Sequence, residues 1–202
     1  MDSGKSNDMG IRAVIFDLDG TITEPFFDFD AIREQMGLGR NAGPVLEAMA
    51  KMEPAQRKRA ERILAHHEKR AVEESKLNDG ASRSLDRLRK RGIKIGIITR
   101  NTKDNAFAVA KKHGLRFDAV VSREDGPVKP DAFGVLKICE HFGILPAQAI
   151  VVGDYLFDLL CAKAAGAKAV LLKNHKRSDE FTEYADFTIE KLEQIFDIIE
   201  SR

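Results

Sequence analysis

The sequence predicts an α/β protein, a doubly wound parallel sheet with an inserted all-helical module. Three observations carry this expectation. Short apolar runs recur and stop at turn residues: IRAVIF (11–16), KIGIIT (94–99), DAVVS (118–122), AIVVGD (149–154) and AKAVLL (167–172). A continuous apolar run bounded by turns reads as a strand buried on both faces. Helix-period segments alternate with these runs, as βαβ units on a parallel sheet require. Residues 24–80 break the rhythm and carry no strand pattern.

In chain order, IRAVIF runs into the acidic turn DLDGT. The module follows, with helices expected in DFDAIREQMG (28–37), GPVLEAMAKM (43–52) and the long stretch from Pro54 to Lys76. Pro54 suits a helix start, where its missing N–H costs nothing. Helices are then expected at 81–91, 103–113, 131–142 and 157–165, with Gly92, Gly114, Gly143 and Gly166 as their C-terminal stops. The tail adds a possible edge strand, ADFTI (185–189), and an amphipathic helix, EKLEQIFDIIE. The α/β core is thus expected over 11–23 and 81–202, the helical module over 24–80, and a flexible tail over 1–10.

Composition narrows the function classes. The 202 residues hold 33 Lys+Arg against 32 Asp+Glu, a net charge of +1. That balance argues against a dedicated nucleic-acid or membrane-surface protein. Hydrophobic residues at 43% and charged residues at 32% describe a globular chain. Cys139 and Cys161 form no CxxC pair, so a reducing, cytoplasmic setting is expected. The first ten residues lack the apolar stretch of a signal peptide, and no run approaches the ~20 apolar residues of a membrane span. A monomer or homodimer is expected.

Four constellations carry chemistry. Asp17 and Asp19, two apart at the end of the first strand, point to one side while Leu18 faces the core. Ligands of open α/β sheets gather at the carboxyl ends of strands. Two carboxylates forced together leave one protonated or enclose a cation; a solvated acidic turn is the plainer alternative. Thr99-Arg100-Asn101 ends the second strand with a hydroxyl and helix N-terminal N–H groups suited to phosphate oxygens, although Thr is also a common N-cap. Lys129-Pro130 follows the third strand; Pro130 suits a helix start and holds Lys129 extended, near the sheet edge. Asp154 and Asp158, one helical turn apart after the fourth strand, suit Mg²⁺, or else form an N-cap with a surface Asp. Together they gather acids, a hydroxyl and a lysine at one edge of one sheet.

FDLDGT, IITRN, VKP and GDYLFD, in that order, resemble the four motifs of the haloacid dehalogenase-like hydrolase superfamily, and most closely its phosphoglycolate phosphatase-like branch. The resemblance spans roughly residues 11–172 and implies a Rossmann-like core with a small helical cap after the first motif. It implies Asp17 as the nucleophile toward phosphorus, Asp19 as general acid/base, and Lys129 as the group orienting nucleophile and phosphate. Thr99, with Gly20, Arg100 and Asn101, would bind the substrate's phosphoryl group. Mg²⁺ would be ligated by Asp17, the Asp19 main-chain carbonyl and Asp154, with Asp158 supporting it directly or through water. The expected function is Mg²⁺-dependent hydrolysis of a small phosphorylated metabolite through an aspartyl-phosphate. The alternatives are a phosphomutase of the same superfamily and a switch protein that keeps its aspartyl-phosphate as a signal. Dehalogenase members lack the second Asp and need no metal, so Asp19 and the Asp154/Asp158 pair point away from them.

Other features read plainly. Glu24 departs from the small polar residue or Asp common near that position in phosphoglycolate phosphatase-like members. Phe26, Phe27 and Phe29 are expected to pack rather than line an entrance. Gly37-Leu38-Gly39-Arg40-Asn41-Ala42-Gly43 follows no strand and reads as an interhelical turn. RKRAER (57–62) and His66-His67 read as solvated helix surface.

Overall fold

The computed structural model describes residues 10–39 and 41–201. The expected tail therefore lies outside the described residues apart from Gly10, as does Arg40 of the interhelical turn. The described chain divides into a compact helical unit, Phe26–Ser75, and a unit made of the residues on either side of it.

The second unit is built on a six-stranded sheet of order β3-β2-β1-β4-β5-β6, every neighbouring pair parallel. The strands are β1 (Ala13–Phe16), β2 (Lys94–Ile98), β3 (Ala119–Val121), β4 (Ala149–Gly153), β5 (Lys168–Leu172) and β6 (Phe187–Ile189). β1 lies at the centre, between β2 and β4, and all four of its residues are buried. Burying Ile15 or Phe16 in full contributes roughly 1.5–3 kcal/mol apiece, which explains why this run is uniformly apolar. Helices α4 (Ala81–Lys90), α5 (Lys103–His113), α6 (Phe133–Phe142) and α7 (Leu156–Ala165) link the strands. Ala13 and Ile15 pack with Ile138 of α6 and Leu159 of α7 on one face. Val14 and Phe16 point to the other by the alternation of the strand, where α4 packs on β2. The tail ends in α8 (Ile195–Glu200), whose Phe196 ring lies under the Arg87 guanidinium at 3.9 Å. Left-handed glycines close α5, α6 and α7 at Gly114, Gly143 and Gly166, as the sequence predicts.

Two local expectations need correction. Pro130 does not start a helix: α6 begins at Phe133, and Lys129–Pro130 is a cis peptide. Thr99 caps no helix either; α5 is capped by Thr102, whose hydroxyl accepts from the Asn105 N–H at 3.2 Å.

The helical unit holds α1 (Phe29–Gln35), α2 (Val45–Ala50) and α3 (Pro54–Glu74), with Pro54 at the start of α3. Its own core is Ile32, Val45, Met49, Ala60 and Leu64. Phe27 packs against that cluster and stacks on Phe29 at 5.4 Å, while Phe29 stays half exposed. No helix among the described residues is long and apolar enough to cross a membrane.

Candidate active site

Because the strands are parallel, their carboxyl ends share one edge. Asp17 follows β1, Thr99 follows β2, the 122–130 loop follows β3 and Asp154 follows β4. The Asp17 N–H donates to the Val152 carbonyl at 2.9 Å, carrying the β1–β4 ladder one residue further and setting Asp17 beside Gly153. Asp158 stands in the first turn of α7. A side chain on Gly153 would collide with the Asp158 Cβ at 2.2 Å, so the strand end must be bare for Asp158 to come in.

One carboxylate oxygen each from Asp17, Asp154 and Asp158 lie within 4.8 Å of one another, all on buried residues. The Lys129 ammonium bonds Asp17 and lies 2.6 Å from Asp158 Oδ1. Asp158 Oδ2 accepts from the Tyr155 N–H at 3.1 Å, so both its oxygens are engaged. Asp154 Oδ1 accepts from the Thr21 hydroxyl at 3.2 Å.

Asp19 has partners of its own. Its Oδ2 accepts from Asn101 Nδ2 at 3.2 Å and from the Thr99 hydroxyl at 3.5 Å, and its carboxylate stands outside the triad. The two acids of the first motif thus have separate hydrogen-bond partners, although the Asp19 charge still acts on Asp17. The Arg100 guanidinium is committed to the Lys129 carbonyl and lies 5.0 Å from the Phe157 ring.

The charges are unbalanced. Burial pushes the Asp17 carboxyl well above its usual range; Lys129 opposes this, and Asp158 and Asp154 add to it. Burial, reinforced by Asp158, raises Asp154 to about 7. Burial likewise raises Asp19, against the Asn101 hydrogen bond. Burial would strip the proton from Lys129, but Asp158 and Asp17 hold it on, well above the usual range. One buried ammonium serves several carboxylates, all hard oxygen donors. A small divalent cation such as Mg²⁺ fits that donor set.

Some residues at the site were not picked out from the sequence. Asn78 Nδ2 lies 2.9, 2.8 and 3.0 Å from the carbonyls of Gly20, Thr21 and Thr23, holding the turn after Asp19. Asn174 Nδ2 also donates to the Gly20 carbonyl, and His175 Nε2 reaches the Asp154 carbonyl at 2.8 Å. The available signals were the turn sequence Asn78-Asp79-Gly80 and the polar run Lys173-Asn174-His175-Lys176 directly after a buried strand.

The profile of the haloacid dehalogenase-like hydrolase family matches residues 27–172, more than half of the chain. The chain belongs to this family. An uncharacterised hydrolase of Saccharomyces cerevisiae is 32% identical, with 95% of this chain and 92% of that protein aligned. A phosphoglycolate phosphatase of Chromobacterium violaceum is 25% identical over 95% of this chain and 97% of its own. Pyrophosphatase PpaX of Halalkalibacterium halodurans is 26% identical over 95% and 98%. The crystal structure of a hydrolase from Pseudomonas syringae superposes with a TM-score of 0.80 at 22% identity, covering 94% of this chain and 98% of that one, and shows the same fold. The chain is therefore a haloacid dehalogenase-like hydrolase that resembles the family's phosphatases, on the α/β fold its sequence predicts.

Proposed function

We propose that this haloacid dehalogenase-like hydrolase is a Mg²⁺-dependent phosphatase that cleaves a small phosphorylated metabolite through an aspartyl-phosphate on Asp17. The observation that carries the reading is the division of the first-motif acids. Asp17 sits with Lys129 inside the carboxylate triad, and Asp19 sits with Thr99 and Asn101 outside it. A nucleophile needs neutralising charge beside it, and an acid/base needs its own hydrogen-bonded setting.

Asp17, Asp154 and Asp158, with the Asp19 main-chain carbonyl, would hold Mg²⁺, which supplies charge neutralisation when bound. Phosphoryl transfer depends mainly on positioning and on offsetting developing charge. Lys129 opposes the protonation that burial favours at Asp17 and holds it in place as its oxygen attacks phosphorus. The bond from phosphorus to the ester oxygen breaks, and Asp19 gives its proton to the leaving oxygen. Asp19 then takes a proton from water, the water oxygen attacks phosphorus, and the bond to Asp17 breaks to free phosphate. The Thr99 hydroxyl, with Arg100 and Asn101 beside it, would bind phosphoryl oxygens. The helical unit would serve as the cap, and the free thiols Cys139 and Cys161 suit the cytoplasm.

A phosphate-release screen tests the proposal, run over sugar phosphates, phosphoglycolate, nucleotides, phosphorylated amino acids and pyrophosphate. Release that EDTA abolishes and Mg²⁺ restores supports it. Isomer formation without release indicates the phosphomutase alternative, and a long-lived phosphorylated Asp17 the switch.

A further inference from the structure

The residues after β5 take no part in that chemistry, yet His175 reaches it. Its hydrogen bonds define the ring. The Arg177 N–H meets His175 Nδ1 at 3.1 Å. A peptide N–H only donates, so Nδ1 is the bare nitrogen and Nε2 carries the hydrogen. The Asp154 carbonyl, 2.8 Å from Nε2, only accepts, so both contacts agree on one tautomer. The ring also lies edge-on to Phe181 at 6.1 Å. The main chain is tied to Ser178 in both directions, at 3.2 and 3.1 Å. The side chain is only 23% exposed. Asp154 is therefore gripped twice, by Thr21 at its carboxylate and by His175 at its carbonyl. The neighbouring Asn174 reaches the Gly20 carbonyl, so one short segment braces both sides of the carboxylate cluster.

We propose that His175 is a positioning residue whose Nε2–H sets the Asp154 peptide so that the Asp154 carboxylate is presented to a divalent cation. This rests on the reading of Asp154 as a metal ligand. A ligand that must be ordered at the moment of binding binds less tightly. Groups holding a metal's ligands in place typically contribute about 10–100-fold in affinity.

Titration of the purified full chain with Mn²⁺, followed by calorimetry or by the spectrum of free Mn²⁺, tests this. Melting temperatures and substrate KM at saturating metal are measured alongside. His175→Ala is expected to raise the Mn²⁺ Kd at least about tenfold and to leave KM unchanged. His175→Gln, which keeps a donor at the Nε2 position, recovers most of the affinity; His175→Asn, whose amide is shorter, does not. The Gln/Asn pair carries the test alone if the Ala variant does not fold. Asp154→Asn separates the two ideas. If it loses Mn²⁺ while His175→Ala and His175→Asn bind as wild type does, the positioning role is wrong and the ligand reading stands. If Asp154→Asn binds Mn²⁺ unchanged, both fall.

Discussion

The Lys129 ammonium stands 2.6 Å from Oδ1 of Asp158 and bonds Asp17 with the same nitrogen. Removing one member of a buried ion cluster costs more than the cluster contributes, because the remaining charges lose their compensation. Lys129→Met is therefore expected to destabilise the metal-free protein by about 3–5 kcal/mol and to abolish phosphate release. Adding Asp158→Asn should return most of the stability and none of the activity. Denaturant melts of the two single variants and the double variant check this, and a stable Lys129→Met single variant would contradict it.

The separate settings of Asp17 and Asp19 predict different defects. Asp17→Asn should lower turnover about a thousandfold or more on every substrate, as removal of a nucleophile does. Asp19→Asn should retain the first step when the leaving group needs no proton, as with p-nitrophenyl phosphate, and stall at the second. Intact-mass measurement after mixing should find phosphorylated protein for Asp19→Asn and none for Asp17→Asn.

Gly20 has φ +102°, and a Cβ there would meet Asp154 Oδ2 at 2.5 Å. Gly20→Ala combines backbone strain of about 1–3 kcal/mol with displacement of the Asp154 carboxylate. Activity is expected to fall far more than stability does, with weaker apparent Mg²⁺ affinity. Steady-state kinetics against Mg²⁺ concentration, set beside a thermal melt, separate the two effects.

Asp125 gives a pH signature away from the carboxylate cluster. Burial would raise its carboxyl, but the Lys103 ammonium at 2.7 Å and the Ser122 N–H and hydroxyl outweigh it and bring it to about 2. A depressed carboxyl stabilises the fold above its unfolded pKa of about 3.9 and loses that contribution as pH falls toward 2. Asp125→Asn should cost about 2 kcal/mol at pH 7, and the gap from wild type should close between about pH 4 and pH 2. Stability measured across that range checks the window.

The strand–turn grammar made the sheet legible, because β1 and β4 are wholly apolar, β2 and β5 are apolar after a leading lysine, and each ends at a polar turn. Parallel order then placed Asp17, Thr99 and Asp154 at one edge without further information. The different hydrogen-bond partners of Asp17 and Asp19 were not legible, since the period of a strand says only that both can face one side. Asn78 and Asn174 hold the turn at Gly20, and Asp19 bonds Asn101 beside it. The helix expected at Pro130 failed for a local reason: a proline suits several positions before a helix, and here the chain turns first. The polar run after β5 marks the segment but does not single out His175, whose contact is a ring nitrogen meeting a main-chain oxygen.

Thr23 pairs with Leu77 in an isolated antiparallel bridge, and the Glu24 N–H donates to the Lys76 carbonyl at 2.9 Å. The chain thus leaves the sheet-bearing unit and re-enters it at adjoining points, closed off like the neck of a flask. The entropic cost of tying such a neck grows only with the logarithm of the length it encloses. Evolution is free to rewrite, shorten or enlarge that segment while the acids at the sheet edge keep their places.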